Sequence, residues 1–155
     1  PVGRVNQLWP QVNGVAVVPY TESYTPANSA FSAYFQNAVR EFNETFRGVI
    51  EFRPLTSFAT PPADFVQVRF TDSPQVSCGG SAAIGRVGGP QVLQMSGNPS
   101  NCPLSIVLHE MGHAIGLFHE QAREDRDNYI RVNYRAILRS SYSEFDKVPG
   151  TQDVG

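Results

Sequence analysis

Nothing in this sequence is long and apolar enough to cross a bilayer. A spanning helix needs about 20 apolar residues, whereas the best run, Val15–Val18, stops at Pro19. The opening residues, Pro1-Val2-Gly3-Arg4, lack the apolar stretch of a secretion signal, so an export signal is expected to have been removed from this chain. An excess of one charge is also missing. Twelve Lys and Arg stand against fourteen Asp and Glu, a net charge of −2, which argues against nucleic acid or an anionic membrane as the main partner. Repeats, low-complexity tracts and flexible linkers are absent, and 41% of the 155 residues are hydrophobic. A disordered chain is thereby excluded and one compact domain implied. Cysteine is scarce: Cys78 and Cys102 either close a loop of about 25 residues, worth roughly 3–4 kcal/mol, or remain two buried thiols, and composition leaves both open.

What is present is a pattern of strands and two helices. Val15–Val18 reads as a buried first strand ended by Pro19. Phe31, Tyr34, Phe35, Ala38, Val39, Phe42 and Phe46 recur at steps of three and four, predicting a long amphipathic helix that stops near Gly48 and backs a sheet. Val49–Phe52 and Phe65–Phe70 read as the next strands, the second alternating in period two. Thin edge strands are expected at Ala82–Ile84 and Gln91–Met95 around a Gly88-Gly89-Pro90 turn. A second helix starts at Pro103 and carries Leu104, Val107, Met111, Ala114 and Ile115 on its core side. The charged run from Glu120 to Asp127 reads as a solvated connection.

The chemistry is concentrated in that second helix. All three histidines lie in one eleven-residue window, His109-Glu110-Met111-Gly112-His113-Ala114-Ile115-Gly116-Leu117-Phe118-His119. His109 and His113 are four apart, fall within about 40° of each other, and can grip one metal ion side by side at about 2.0–2.1 Å. On a continuing helix His119 would lie about 15 Å beyond His109, too far to share the ion. Gly116 can take the left-handed conformation that stops a helix and folds the chain back, so that His119 returns to the same point. Three neutral nitrogens with no fourth protein ligand leave a position for water, the pattern of a catalytic rather than a structural zinc ion. Glu110, next to His109, is placed as general base toward that water. The plainer alternatives are a closed zinc site or three ordinary surface histidines. Met111 sits on the apolar face and reads as core.

The window resembles the metzincin zinc endopeptidases, and His119-Glu120-Gln121-Ala122-Arg123-Glu124-Asp125-Arg126-Asp127 is similar to the extended signature of the astacin family, with Leu117 where that family usually has Phe. Leu8-Trp9-Pro10, Val18-Pro19-Tyr20, Gly85-Arg86-Val87-Gly88-Gly89 and Asp127-Asn128-Tyr129 resemble astacin segments in the same order. The resemblance implies an α+β, metzincin-like catalytic domain: a twisted, mostly parallel five-stranded sheet with an antiparallel edge strand, a backing helix and an active-site helix. Residues 1–119 would form the N-terminal catalytic subdomain and 120–155 the start of a C-terminal one. It further implies one catalytic Zn2+, protein or peptide substrates, secretion, an inhibitory pro-segment and a Cys78–Cys102 disulfide. Glu120 is expected to be buried against the ammonium of Pro1, and substrate to lie antiparallel to an edge strand at Ser81, Ala82, Ala83 and Ile84. Metzincins also carry a methionine turn after the third histidine, followed in astacins by a tyrosine. Both methionines here, Met95 and Met111, precede His119, so the resemblance implies that the sequence stops short of that subdomain. The function expected is a secreted zinc endopeptidase, the alternative an inactive zinc- or peptide-binding remnant.

Overall fold

The computed structural model describes residues 7–25, 29–71, 80, 83–96 and 102–150. A five-stranded sheet is built from β1 (Gln11–Val12), β2 (Val15–Thr25), β3 (Ile50–Pro54), β4 (Phe65–Thr71) and β5 (Pro90–Ser96). β2 runs parallel to β3, with Val18 opposite Phe52, and to β4, with Tyr20 opposite Val66; β4 runs parallel to β5, with Val68 opposite Leu93. Among the described strands only the short β1 is antiparallel, folded onto the start of β2 through Asn13-Gly14. The α+β class and the mostly parallel five-stranded sheet implied by the resemblance are therefore observed.

Two helices, α1 (Ser29–Thr45) and α2 (Leu104–Ala114), cover one face of this sheet. Phe31, Phe35, Ala38, Val39 and Phe42 of α1 share a core with Val18, Tyr20, Phe52, Val66, Val68 and Phe70, and Val107, Met111 and Ala114 of α2 close it over Leu93 and Met95. The aromatic pairs meet edge to face or stacked, such as Phe42 against Phe52 at 5.0 Å and Phe31 against Phe70 at 5.7 Å between ring centres. Such pairs add about 0.5–1.5 kcal/mol beyond the area they bury. After α2 the helical elements among the described residues are short 3-10 turns, the longest at Arg139–Phe145.

Pro19 does not end the first strand, contrary to the expectation. The Ala16 N–H donates to the Val49 carbonyl on the β3 side (2.9 Å), and the Val17 N–H donates to the Pro10 carbonyl on the other side (3.0 Å). Two residues further along, the Pro19 nitrogen faces the same side as Val17. There the pairing with β1 has ended, Gln11 lying opposite Ala16, and the pairing with β4 starts only with Val66 opposite Tyr20. The missing donor thus falls in a gap of the ladder, where a proline is tolerated inside a strand.

Candidate metal centre

α2 opens after Pro103, which takes an extended φ, ψ of −63°, 154° and lacks only an N–H that a helix start leaves unpaired. Val107, Met111 and Ala114 face the core, while His109 is exposed and His113 half-buried on the other side. The helix ends in a Schellman turn: the Gly116 N–H donates to the His113 carbonyl (2.9 Å) and the Leu117 N–H to the Gly112 carbonyl (3.0 Å). Gly116 holds φ at +109°, a value that a side chain rarely allows. From there Leu117 and Phe118 run back along the helix and return His119.

The three imidazoles converge. His119 Nε2 lies 3.0 Å from His109 Nε2 and 3.0 Å from His113 Nε2, and the three potential ligand atoms fit within 4.8 Å of one another. Bonds of 2.0–2.1 Å at tetrahedral angles would separate such nitrogens by about 3.3 Å, so the cluster fits one ion within a few tenths of an ångström. The His113 Nδ1–H donates to the Leu117 carbonyl at 2.7 Å. A carbonyl has no proton to give, so the contact fixes the ring tautomer and, in the neutral ring, leaves Nε2 bare for a metal. His119 is held below its ordinary pKa by burial first, then by repulsion from His113 and His109, against which Glu144 and Glu110 act in the opposite sense. Among the described residues the group comprises these three side chains, so a tetrahedral ion would keep one position for a non-protein ligand. A cleft of about 340 Å3 opens beside them, walled by Leu108, Leu117, Phe118, Glu120 and Gln121.

The other expected residues fare differently. Glu110 is buried at 9% exposure on α2, and its charge reaches His119. Glu120 is not buried: its side chain is 69% exposed, and its carboxylate accepts from Arg123 at 3.1 Å, which holds it below the usual carboxylate range. Pro1, Ser81, Ala82 and Cys78 lie outside the described residues. Ala83 and Ile84 form no strand. The chain bends at Ile84-Gly85 because the Gly85 N–H is committed to the His113 carbonyl at 2.9 Å, while a Cβ at Gly85 would meet the Gln7 carbonyl oxygen at 2.8 Å. Among the described strands the antiparallel one is β1. Cys102 is buried and disulfide-bonded.

The run after His119 is more than a solvated connection. Arg126 is only 7% exposed and donates to the Gln121 carbonyl (2.6 Å), the Phe145 carbonyl and the Tyr134 hydroxyl (3.3 Å). Arg123 grips Asp125 with two bonds of 2.9 and 2.8 Å. These guanidiniums pin the 3-10 turns to one another. Their spacing gave no sign of this, since a buried arginine and a solvated one look alike in sequence.

The family model of the astacin peptidases matches residues 3–153. Embryonic protein UVS.2 of Xenopus laevis is 34% identical over 151 residues, covering 96% of this chain and 26% of that protein. High choriolytic enzyme 2 of Oryzias latipes is 36% identical over 137 residues, covering 87% of this chain and 43% of that one. Among solved structures, high choriolytic enzyme 1, a hatching enzyme zinc-protease from Oryzias latipes, matches with a TM-score of 0.72 at 31% identity, over 92% of this chain and 65% of that chain. Myroilysin, at 17% identity and a TM-score of 0.55, shares the fold. The chain spans about a quarter of UVS.2 and less than half of high choriolytic enzyme 2.

Proposed function

This chain belongs to the astacin family of peptidases, and on that premise we propose that it is a secreted zinc-dependent endopeptidase that hydrolyses internal peptide bonds. One observation carries the reading: three imidazoles converge, with the Nε2 atoms of His109 and His113 each 3.0 Å from that of His119, beside an open cleft. His109, His113 and His119 would hold one Zn2+. Bound there, zinc polarises a carbonyl and makes water a nucleophile near neutral pH. The Leu117 carbonyl keeps His113 in the ligating tautomer. Glu110 takes the proton from the attacking water and gives it to the departing amine; its electrostatic reach to His119 supports that placement. The apolar walls of the cleft, Leu108, Leu117 and Phe118, exclude water from the bound peptide. Residues 1–119 supply this machinery, and residues 120–155 begin a second subdomain. A bridge between Cys78 and Cys102 fits secretion into an oxidising compartment. The ammonium of Pro1 joins Glu120 once an inhibitory pro-segment is removed.

Hydrolysis of an internally quenched peptide, measured with zinc and with a chelator, tests the reading. Activity should vanish on chelation and return with Zn2+. Glu110→Gln should retain zinc yet lose about 10²–10⁴-fold in rate, the usual weight of a general base. No turnover by a folded, zinc-loaded chain would overturn the enzyme in favour of a zinc- or peptide-binding module.

A further inference from the structure

We propose that Trp9 is a positioning residue for the metal centre, fixing the last turn of α2 and with it the setting of His113 and His119. The inference rests on the zinc reading above and adds a residue to it. The indole N–H of Trp9 donates to the Ala114 carbonyl at 2.8 Å, a buried bond between residues 105 apart in sequence. Ala114 is the last residue of α2, where carbonyls have no helical partner and the end frays unless something caps it. It adjoins the ligand His113. The Schellman turn that redirects the chain to His119 starts from the two preceding carbonyls, those of Gly112 and His113.

Trp9 can act as a fixed point because the chain on either side of it is tied down elsewhere. The Arg86 N–H donates to the Gln7 carbonyl (2.7 Å) and the Arg86 Nε to the Leu8 carbonyl (3.0 Å), while the Pro10 carbonyl accepts from Val17 in the sheet (3.0 Å). Arg86 is in turn held by Asp64 at 2.7 Å, whose other oxygen accepts from the Gly89 N–H at 2.6 Å. The neighbour of Arg86, Gly85, donates to the His113 carbonyl. The segment before β1, the loop before β5 and the last turn of α2 therefore close one ring of hydrogen bonds. Two adjacent carbonyls of the metal helix, those of His113 and Ala114, are gripped from outside it. Packing alone would ask only for a large ring at position 9; the aimed N–H is what positions the helix end.

The test compares Trp9→Phe, which keeps a ring and loses the donor, with the unchanged chain by competition of a chromogenic chelator for Zn2+. The substitution should weaken zinc binding about tenfold, as loss of groups that orient metal ligands does. Phe52→Leu, a core change away from α2, serves as control and should shift the affinity less than twofold at comparable loss of thermal stability. Coupling between two sites is reciprocal. Zinc must therefore slow exchange of the Trp9 indole N–H, the single indole of the chain, by a similar factor. That NMR measurement on the unchanged protein decides the matter alone if Trp9→Phe does not fold. Equal zinc affinity of Trp9→Phe and the unchanged chain, an equal loss in Phe52→Leu, or an indole exchange rate indifferent to zinc would each overturn the inference. Failure of the unchanged chain to bind one zinc would be seen before any variant is made, and would overturn the metal reading itself.

Discussion

Replacing Asn43 by Ala should cost this chain about 2 kcal/mol of stability, although Asn43 is remote from the metal centre. β3 pairs with β2 on one side only, and the residues in register with the Ala16–Val49 bond leave the N–H and carbonyl of Phe52 pointing out of the sheet. Asn43 of α1 fills that place. Its side-chain nitrogen donates to the Phe52 carbonyl (2.9 Å), and its side-chain oxygen accepts from the Phe52 N–H (2.8 Å). The amide thus imitates one peptide unit of a neighbouring strand and covers a free edge. Two net hydrogen bonds at about 1 kcal/mol each give the total, equivalent to a fall of about 4–8 °C in melting temperature for a chain of this size. Urea unfolding read by far-ultraviolet circular dichroism measures it. Asn43→Asp sharpens the argument. Its ionised form keeps the acceptor but turns an anionic oxygen toward the Phe52 carbonyl, which raises the folded-state pKa of the introduced carboxyl above the unfolded value of about 3.9. The folded state then binds the proton more tightly, so stability relative to Asn43→Ala must rise as pH falls through the folded pKa toward 3.9. A loss under about 0.5 kcal/mol in Asn43→Ala, or a gap between the two variants that does not change with pH, would refute the edge-capping account.

Three further outcomes follow from the same geometry. Gly116→Ala places a side chain at φ +109° and should cost roughly 1–2 kcal/mol; because His119 hangs on that turn, calorimetric zinc titration should show weaker binding, and unchanged affinity would mean the turn does not set the ligand. His119 has its pKa lowered in the folded chain, so below about 6.5 the unfolded chain binds more protons. The metal-free protein must then lose stability as pH falls through 6.5 toward the lower folded value, and His119→Gln should flatten that slope in urea midpoints collected between pH 7 and pH 5. Arg86→Met removes the bond to the Leu8 carbonyl and the ion pair with Asp64, for about 1–2 kcal/mol. Asp64 is held below its usual pKa by the Gly89 N–H and then by Arg86, so it contributes stability above pH 4 that is lost on acidification, and that acid loss should be smaller in Arg86→Met.

The parts of this fold that sequence makes legible are those fixed by local spacing. The stripe from Phe31 to Phe46 places α1, the alternation from Phe65 to Phe70 places β4, and His109, His113, Gly116 and His119 specify a helix, a stop and a return within eleven residues. What spacing hides is any pairing decided by distant chain. Pro19 reads as a strand end because the gap between β1 and β4 that absorbs it exists only after the sheet has formed. Ala83 and Ile84 read as a strand from their apolar character, yet they bend because Gly85 docks on the end of α2. Arg126 reads as solvated and is buried, its guanidinium satisfied by carbonyls up to 19 residues away. Trp9 carries no local mark of a partner 105 residues on.

The division between local and distant information bears on how the centre works. The Nε2 atoms of His109 and His113 each lie 3.0 Å from that of His119, and rings that crowd so closely give up hydration as they approach. The eleven-residue window can aim the rings but does not by itself hold the helix end that carries them. That hold comes from the Gly85 and Trp9 bonds to the His113 and Ala114 carbonyls, which draw on the sheet through Arg86, Asp64 and Val17. Metal affinity then depends on the integrity of the ring of hydrogen bonds around Gln7–Trp9. Zinc, by stabilising only the assembled state, must strengthen that ring in return.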